Sequence, residues 1–208
     1  MDLNFSSFED YLKTLSPSSR EGLRRKLKKI DGKVEIGLEV TGVLDEGAID
    51  EVHRLYLQTY KRMDKGLEKV PKEFFRNISK NMPQETKFFL WRIKGEMVAF
   101  AFCLVRKDYF IDYYLGFDYS VALNYNLYFI RFRDLLNWCL KNGMRKYEMG
   151  ATSYEPKRRL GFSFVRYYFY MRHRNAILNL FFGLCSEFLK PERFDPVFRE
   201  IEKNAQSA

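Results

Sequence analysis

The spacing of apolar residues alternates between two periods along the chain. Ser16 before Pro17 has the form of a helix start, and Leu23, Leu27 and Ile30 then recur at helical spacing up to Asp31 and Gly32. These residues predict a short basic helix with a narrow apolar stripe. Residues 33–41 (KVEIGLEVT) set Val34, Ile36, Leu38 and Val40 against polar neighbours, the period of a half-buried strand. From Asp45, a suitable cap, to about Lys61 the period is helical again: Ile49, Val52, Leu55, Tyr56, Thr59 and Tyr60 share one face. A second helix starts at Pro71 and carries Phe74, Phe75 and Ile78.

Then the pattern becomes one of strands. Residues 86–93 and 96–106 are aromatic and aliphatic runs separated by Lys94-Gly95, the signal of a tight hairpin. Lys107-Asp108 leads into a third strand over 109–119. A helix is expected from Asn124 or Asn126 to a C-terminal cap at Gly143, with Phe129, Phe132, Leu136, Cys139 and Leu140 facing inward. Residues 146–151 (KYEMGA) suit a short buried strand, 153–161 a basic loop, 162–172 a further strand, and 175–189 a closing helix or strand. This order predicts a single α+β domain with a central mixed, mostly antiparallel sheet flanked by helices. Its expected divisions are an N-terminal segment with the basic helix (1–31), the sheet domain (32–192) and a charged tail (193–208).

Composition narrows the function classes. Aromatic residues make up 17% of the 208 residues, far too many for a disordered chain. No apolar run approaches the roughly 18 residues that span a bilayer. The acidic start, MDLNFSSFEDYLKTL, lacks the form of an export signal, so the expected location is the cytoplasm, extending to the inner membrane face. Cys103, Cys139 and Cys185 stand far apart in apolar sequence, which suits reduced core thiols. His53 and His173 have no ligand cluster beside them, so no metal is expected.

The formal charge of +9 points to an anionic partner: nucleic acid, a phosphorylated donor or an acidic lipid surface. Its excess gathers in residues 20–29 and 157–174.

The segments FEDYLKTLSPSSREGLRRKLKKID and GATSYEPKRRLGF, with RIKGEMVAFAFCLV between them, resemble the Fem-type, BioF-like branch of the GNAT acyltransferase superfamily. The resemblance touches most of residues 5–170. It implies a GNAT-like domain, a cytoplasmic enzyme, and transfer of an acyl group from acyl-CoA or aminoacyl-tRNA to an amine. Where GNAT enzymes carry a glycine-rich turn for the CoA pyrophosphate, residues 120–126 read SVALNYN, with no glycine. That departure tilts the expected donor toward aminoacyl-tRNA. Many members of the branch also contain two such units, whereas this chain has one.

The resemblance also implies roles. Lys157, matching the signature lysine, would stabilise an oxyanion or hold a phosphate. Tyr154, just past a strand end, would protonate the leaving group. Asp112 and Glu148, on neighbouring strands, would orient or deprotonate the amine. Arg158 and Arg159 would clamp phosphates, while Tyr113, Asn124, Tyr125 and Asn126 would line the donor groove. The reacting carbonyl is expected where 113–117 and 148–151 separate. Two alternatives stay open: a non-catalytic nucleic-acid-binding module using both basic clusters, and a module that lays the aromatic, basic segment 169–188 on an anionic membrane surface.

Overall fold

The computed structural model describes residues 1–30, 33–62, 69–150, 154–164, 172, 174–185 and 188. The elements run α1 (Phe8–Thr14), α2 (Pro17–Lys28), β1 (Gly37–Thr41), α3 (Glu46–Arg62), α4 (Lys72–Asn81), β2 (Thr86–Ile93), β3 (Glu96–Arg106), β4 (Tyr109–Phe117), α5 (Leu127–Lys141), β5 (Lys146–Met149), α6 (Tyr154–Arg159) and α7 (Ala176–Cys185). They fall into two compact units, residues 1–152 with 159–161, and residues 153–158 with 162–208.

The first unit holds a five-stranded sheet in the order β1-β2-β3-β4-β5. Strands β1 to β4 are antiparallel neighbours, and β5 joins β4 in parallel. This is the mixed, mostly antiparallel α+β sheet expected. The β2–β3 hairpin turns through Lys94 and Gly95, both at positive φ (51° and 86°), the backbone a two-residue turn requires. Beyond β5, Met1–Leu3 run along the free edge: Met1 and Tyr147 exchange backbone hydrogen bonds, and Leu3 N–H donates to Arg145 at 2.9 Å.

Both faces of the sheet are covered over β2 and β3, which is why these read as near-continuous apolar runs. The half-buried strand expected over 33–41 is limited to β1, where Leu38 and Val40 are exposed at the sheet edge. On one face Phe88, Leu90, Phe100 and Phe102 pack with Val52, Leu55, Tyr56 and Phe75 of α3 and α4. On the other, Phe89, Phe110 and Tyr147 meet Trp138 and Phe132 of α5, and Tyr11 of α1 reaches Phe132. Asp45 caps α3 by accepting from Ala48 N–H at 2.7 Å, and Ser16 caps α2.

Some expectations needed correction. Residues 154–159, read as a loop, form α6; Pro156 is tolerated in its first turn, and Glu155 pairs with Arg158 one turn on. Helix α1, not foreseen, is capped by Ser7, whose hydroxyl accepts from Asp10 N–H. The buried stripe of α5 is Leu127, Ile130, Arg131, Phe132, Leu135, Leu136 and Cys139, which shares Phe132, Leu136 and Cys139 with the expected one. Phe129 instead lies beneath the Lys26 ammonium, 3.9 Å from its ring centroid. Residues 162–164 are not strand, and most of the strand expected to follow lies outside the described residues, as does 193–208.

Arg131, fully buried, forms an ion pair through Nη2 with the equally buried Asp112 on β4. Tyr147 Oη donates to the other Asp112 oxygen at 3.2 Å. Burial opposes the Arg131 charge, but Asp112 with Tyr147 and Cys103 outweighs it and holds the guanidinium above the usual arginine range. Burial pushes the Cys103 and Cys139 thiols and the Tyr147 phenol up, with Asp112 adding to each.

Two outcomes follow for stability. Asp112→Ala strands a buried cation and is expected to cost about 3–5 kcal/mol; adding Arg131→Met should recover part of that loss in urea unfolding. Gly116 has no room for a side chain, since a Cβ would meet Phe100 Cε1 at 2.4 Å and the α3 backbone at Leu55 and Tyr56 at 2.6 and 2.7 Å. Gly116→Ala should therefore destabilise by roughly 1–3 kcal/mol. Gly22→Ala, in open space on α2, should stabilise by up to about 1 kcal/mol. Equal effects of the two glycine substitutions would contradict this packing.

Candidate active site

Among the described residues, strands β4 and β5 pair from Tyr109↔Lys146 to Asp112↔Met149, with Gly150 N–H donating to the Asp112 carbonyl at 3.3 Å. Just beyond this stretch β4 opens into a bend. Across β3 the register steps from Cys103↔Asp112 to Phe102↔Tyr114, so Tyr113 is an additional residue in β4. A bulge of this kind bends its strand and raises the twist. Beyond it, Gly116 lets β4 press against the α3 backbone, and Phe117 N–H donates to Thr59 Oγ1 at 3.2 Å. β4 is thereby drawn toward α3.

Tyr113 stands at this opening, 52% exposed, with its ring edge-on to Tyr114 at 4.8 Å. Glu148, one residue past buried Tyr147 on β5, is half-buried and accepts a hydrogen bond from Tyr109 Oη. Asp112 does not line the opening. It faces α5 and is held by Arg131 and Tyr147, so the expected role of amine-orienting base does not fit its position.

After β4 the chain turns through 118–126. The N–H groups of Ser120, Val121, Ala122, Tyr125, Asn126 and Leu127 all donate to oxygens of the same turn. A turn that satisfies its own donors has few left for a pyrophosphate. Asn126, at φ 45°, directs its carboxamide to the Lys26 carbonyl at 3.1 Å and so ties α2 to the start of α5. Asn124 is exposed and Tyr125 half-buried. Burial lowers the Lys26 pKa, and nearby Arg159 and Arg25 lower it further. In the second unit, Arg158 pairs with Glu155 at 3.0 Å.

Tyr154, Lys157 and Arg158 belong to the second unit. Lys157 is buried, and its carbonyl accepts from Phe162 N–H at 3.0 Å. The side chain of Tyr154 lies outside the described residues.

A cleft of about 430 Å³ that the sequence had not indicated opens at the far end of β4. It is lined by Glu51 and Arg54 of α3, Lys94 and Glu96 of the hairpin, Asp118 and Tyr125. Glu51 receives both terminal nitrogens of Arg92, at 3.1 and 2.6 Å. Arg54 bridges the Met97 carbonyl and Asp118. Hydrogen bonds from Ser120 keep the Asp118 carboxyl below the usual carboxylate range, burial opposing and Arg54 assisting. The lining thus mixes three carboxylates with two cations, Arg54 and Lys94, around Ile93, Met97, Val98 and Val121, and Glu51 and Asp118 are already paired with Arg92 and Arg54. Among the described residues, no group of His, Cys, Asp or Glu could hold a metal ion.

Solved structures of similar fold include L-PGS from Bacillus licheniformis, 17% identical over 67% of this chain and 42% of that one, with a TM-score of 0.49. Another is the ribosomal-protein-S18-alanine N-acetyltransferase from Escherichia coli, 15% identical over 61% of this chain and 74% of that one, TM-score 0.47. A third is the aminoglycoside N-acetyltransferase AAC(6')-Iy in complex with CoA, 13% identical over 68% and 97%, TM-score 0.44. No curated protein matches the sequence. The FemAB-like family model, described as peptidoglycan biosynthesis/recognition, matches residues 1–201, so the chain belongs to the FemAB-like family.

Proposed function

We propose that this protein is an acyl- or aminoacyltransferase that moves an acyl group from an activated, phosphorylated donor to an amine, with the reacting carbonyl held beside the bend of β4. The observation that carries this reading is membership of the FemAB-like family, whose model matches residues 1–201. The bend of β4 at the additional residue Tyr113, 52% exposed beside the described end of the β4–β5 register at Asp112↔Met149, is the proposed place of the carbonyl.

The transfer forms a C–N bond as a neutral amine attacks the carbonyl, and it breaks the C–S bond of a thioester or the C–O bond of an ester. The amine loses a proton and the leaving sulfur or oxygen takes one. Between these events the carbonyl oxygen carries negative charge that a fixed cation or N–H group must stabilise. On their match to the signature, Lys157 and Tyr154 of the second unit keep the roles of oxyanion stabiliser and proton donor that the resemblance implies. In the first unit, Glu148 is the proposed carboxylate.

Of the two donors, aminoacyl-tRNA is the better fit. The 118–126 turn has no glycine and commits its amides internally, which suits a donor that does not depend on a pyrophosphate cradle. For the acceptor, the family's description supports a peptidoglycan precursor.

A thermal-shift panel of acetyl-CoA, longer acyl-CoAs and charged tRNA tests the donor, because a ligand at about 100 times its Kd adds roughly 2.7 kcal/mol to native stability. Charged tRNA is expected to raise the melting point most. If no donor raises it and no amine is acylated, the reading fails. In an active assay Lys157→Ala should lower kcat by about 10²-fold with an unchanged circular dichroism spectrum, and unaltered kcat would remove Lys157 from the mechanism.

A further inference from the structure

Helix α7 (AILNLFFGLC) contains no buried residue. Ile177, Leu180, Phe181 and Leu184 are between 58% and 78% exposed, and Phe188 beyond it is 64% exposed. Apart from Asn179 and Gly183 its side chains are apolar or sulfur-bearing right around the circumference, a composition normally found only where a helix is enclosed. A helix this short is also marginal in water by itself. Its start is already satisfied, since the Asn175 carboxamide accepts from Ile177 and Leu178 N–H at 2.9 and 3.3 Å. The exposed surface therefore calls for an apolar covering rather than a ligand at the helix end.

The surrounding charge selects what covers it. Between Glu155 and Glu187 the sequence holds no carboxylate, yet it holds Lys157, Arg158, Arg159, Arg166, Arg172 and Arg174. Arg172 and Arg174, with Ala176 and Asn179, line a concavity of about 430 Å³ at the head of α7. A second copy of the chain would bring like charges together. An anionic bilayer offers acyl chains for the leucines and phenylalanines and negative headgroups for the arginines. We propose that α7 with its preceding arginines is an anionic-membrane docking element. At about 15 Å the helix is too short to span and lies in the plane of the interface. This proposal does not depend on the acyl-transfer reading.

The test is co-sedimentation of the full chain with phosphatidylcholine vesicles, with and without phosphatidylglycerol. Binding is expected only with phosphatidylglycerol and should weaken as salt rises. Phe181→Asp, and separately Leu184→Asp, should reduce binding tenfold or more without lowering the melting point, because both side chains are exposed. Arg172→Ala with Arg174→Ala should reduce it by about fivefold per arginine. Failure to bind anionic vesicles at low salt, or binding that neither aspartate variant weakens, would overturn the proposal. So would a concentration-dependent dimer that Phe181→Asp dissolves while vesicles are ignored.

Discussion

Strand β4 must satisfy two neighbours that run in opposite directions. On one side it is bonded to β3 from end to end; on the other, among the described residues, it holds β5 from Tyr109 to Asp112. The additional residue Tyr113 bends β4 while keeping it in register with β3. Gly116 completes the bend by admitting the α3 backbone to a distance no other residue would allow. The exposure of Tyr113 accompanies this bend.

The start of the bend is also the most polar place inside the first unit. Asp112, the last β4 residue paired with β5 among the described residues, is secured from below by Arg131 and Tyr147 among Cys103, Cys139, Phe110 and Phe132. A buried ion pair is seldom a net source of stability compared with apolar residues of similar size, since both charges give up their hydration. Its effect is on specificity: alternatives that separate the two charges leave one of them bare. The pair therefore disfavours any register of β4 against α5 except the one that aligns them. The cost of burial at Asp112 is matched by a fixed position for this part of the β4–β5 ladder, and the aromatic packing around Tyr147 on β5 reinforces it.

The two units differ in how their apolar groups are used. In the first, the alternate residues of β2 and β3 are shared between two helical layers, so long apolar runs are entirely internal. In the second, α7 has comparable apolar content and no burial. Its neighbours in sequence carry only positive charge for a long stretch. Apolar surface beside a run of positive charge is the observation on which the proposed docking to an anionic membrane rests.

Local chemistry was enough to establish the elements and their order. Val34 to Val40, Ile49 to Tyr60 and the runs flanking Lys94-Gly95 each carry a period or turn that depends only on near neighbours, and the strand and helix types follow from them. The caps at Asp45 and Ser16 were legible for the same reason. Helix α1 and the helical form of 154–159 were not, because short elements hold too few residues to show a period. Of the expected inward residues of α5, Phe132, Leu136 and Cys139 are buried, whereas Arg131 was missed because it reads as a surface residue until its partner is known. That partner, Asp112, had been placed in the groove, since a carboxylate on a strand shows its face only once the sheet is covered on both sides. The cleft draws on Glu51, Glu96 and Asp118, which are distant in sequence and share no motif. What the amino-acid order settled alone was whatever depends on a few consecutive residues. The direction Asp112 faces, the bend at Tyr113 and the cleft were decided by tertiary structure, because each depends on which distant groups exclude water from one another.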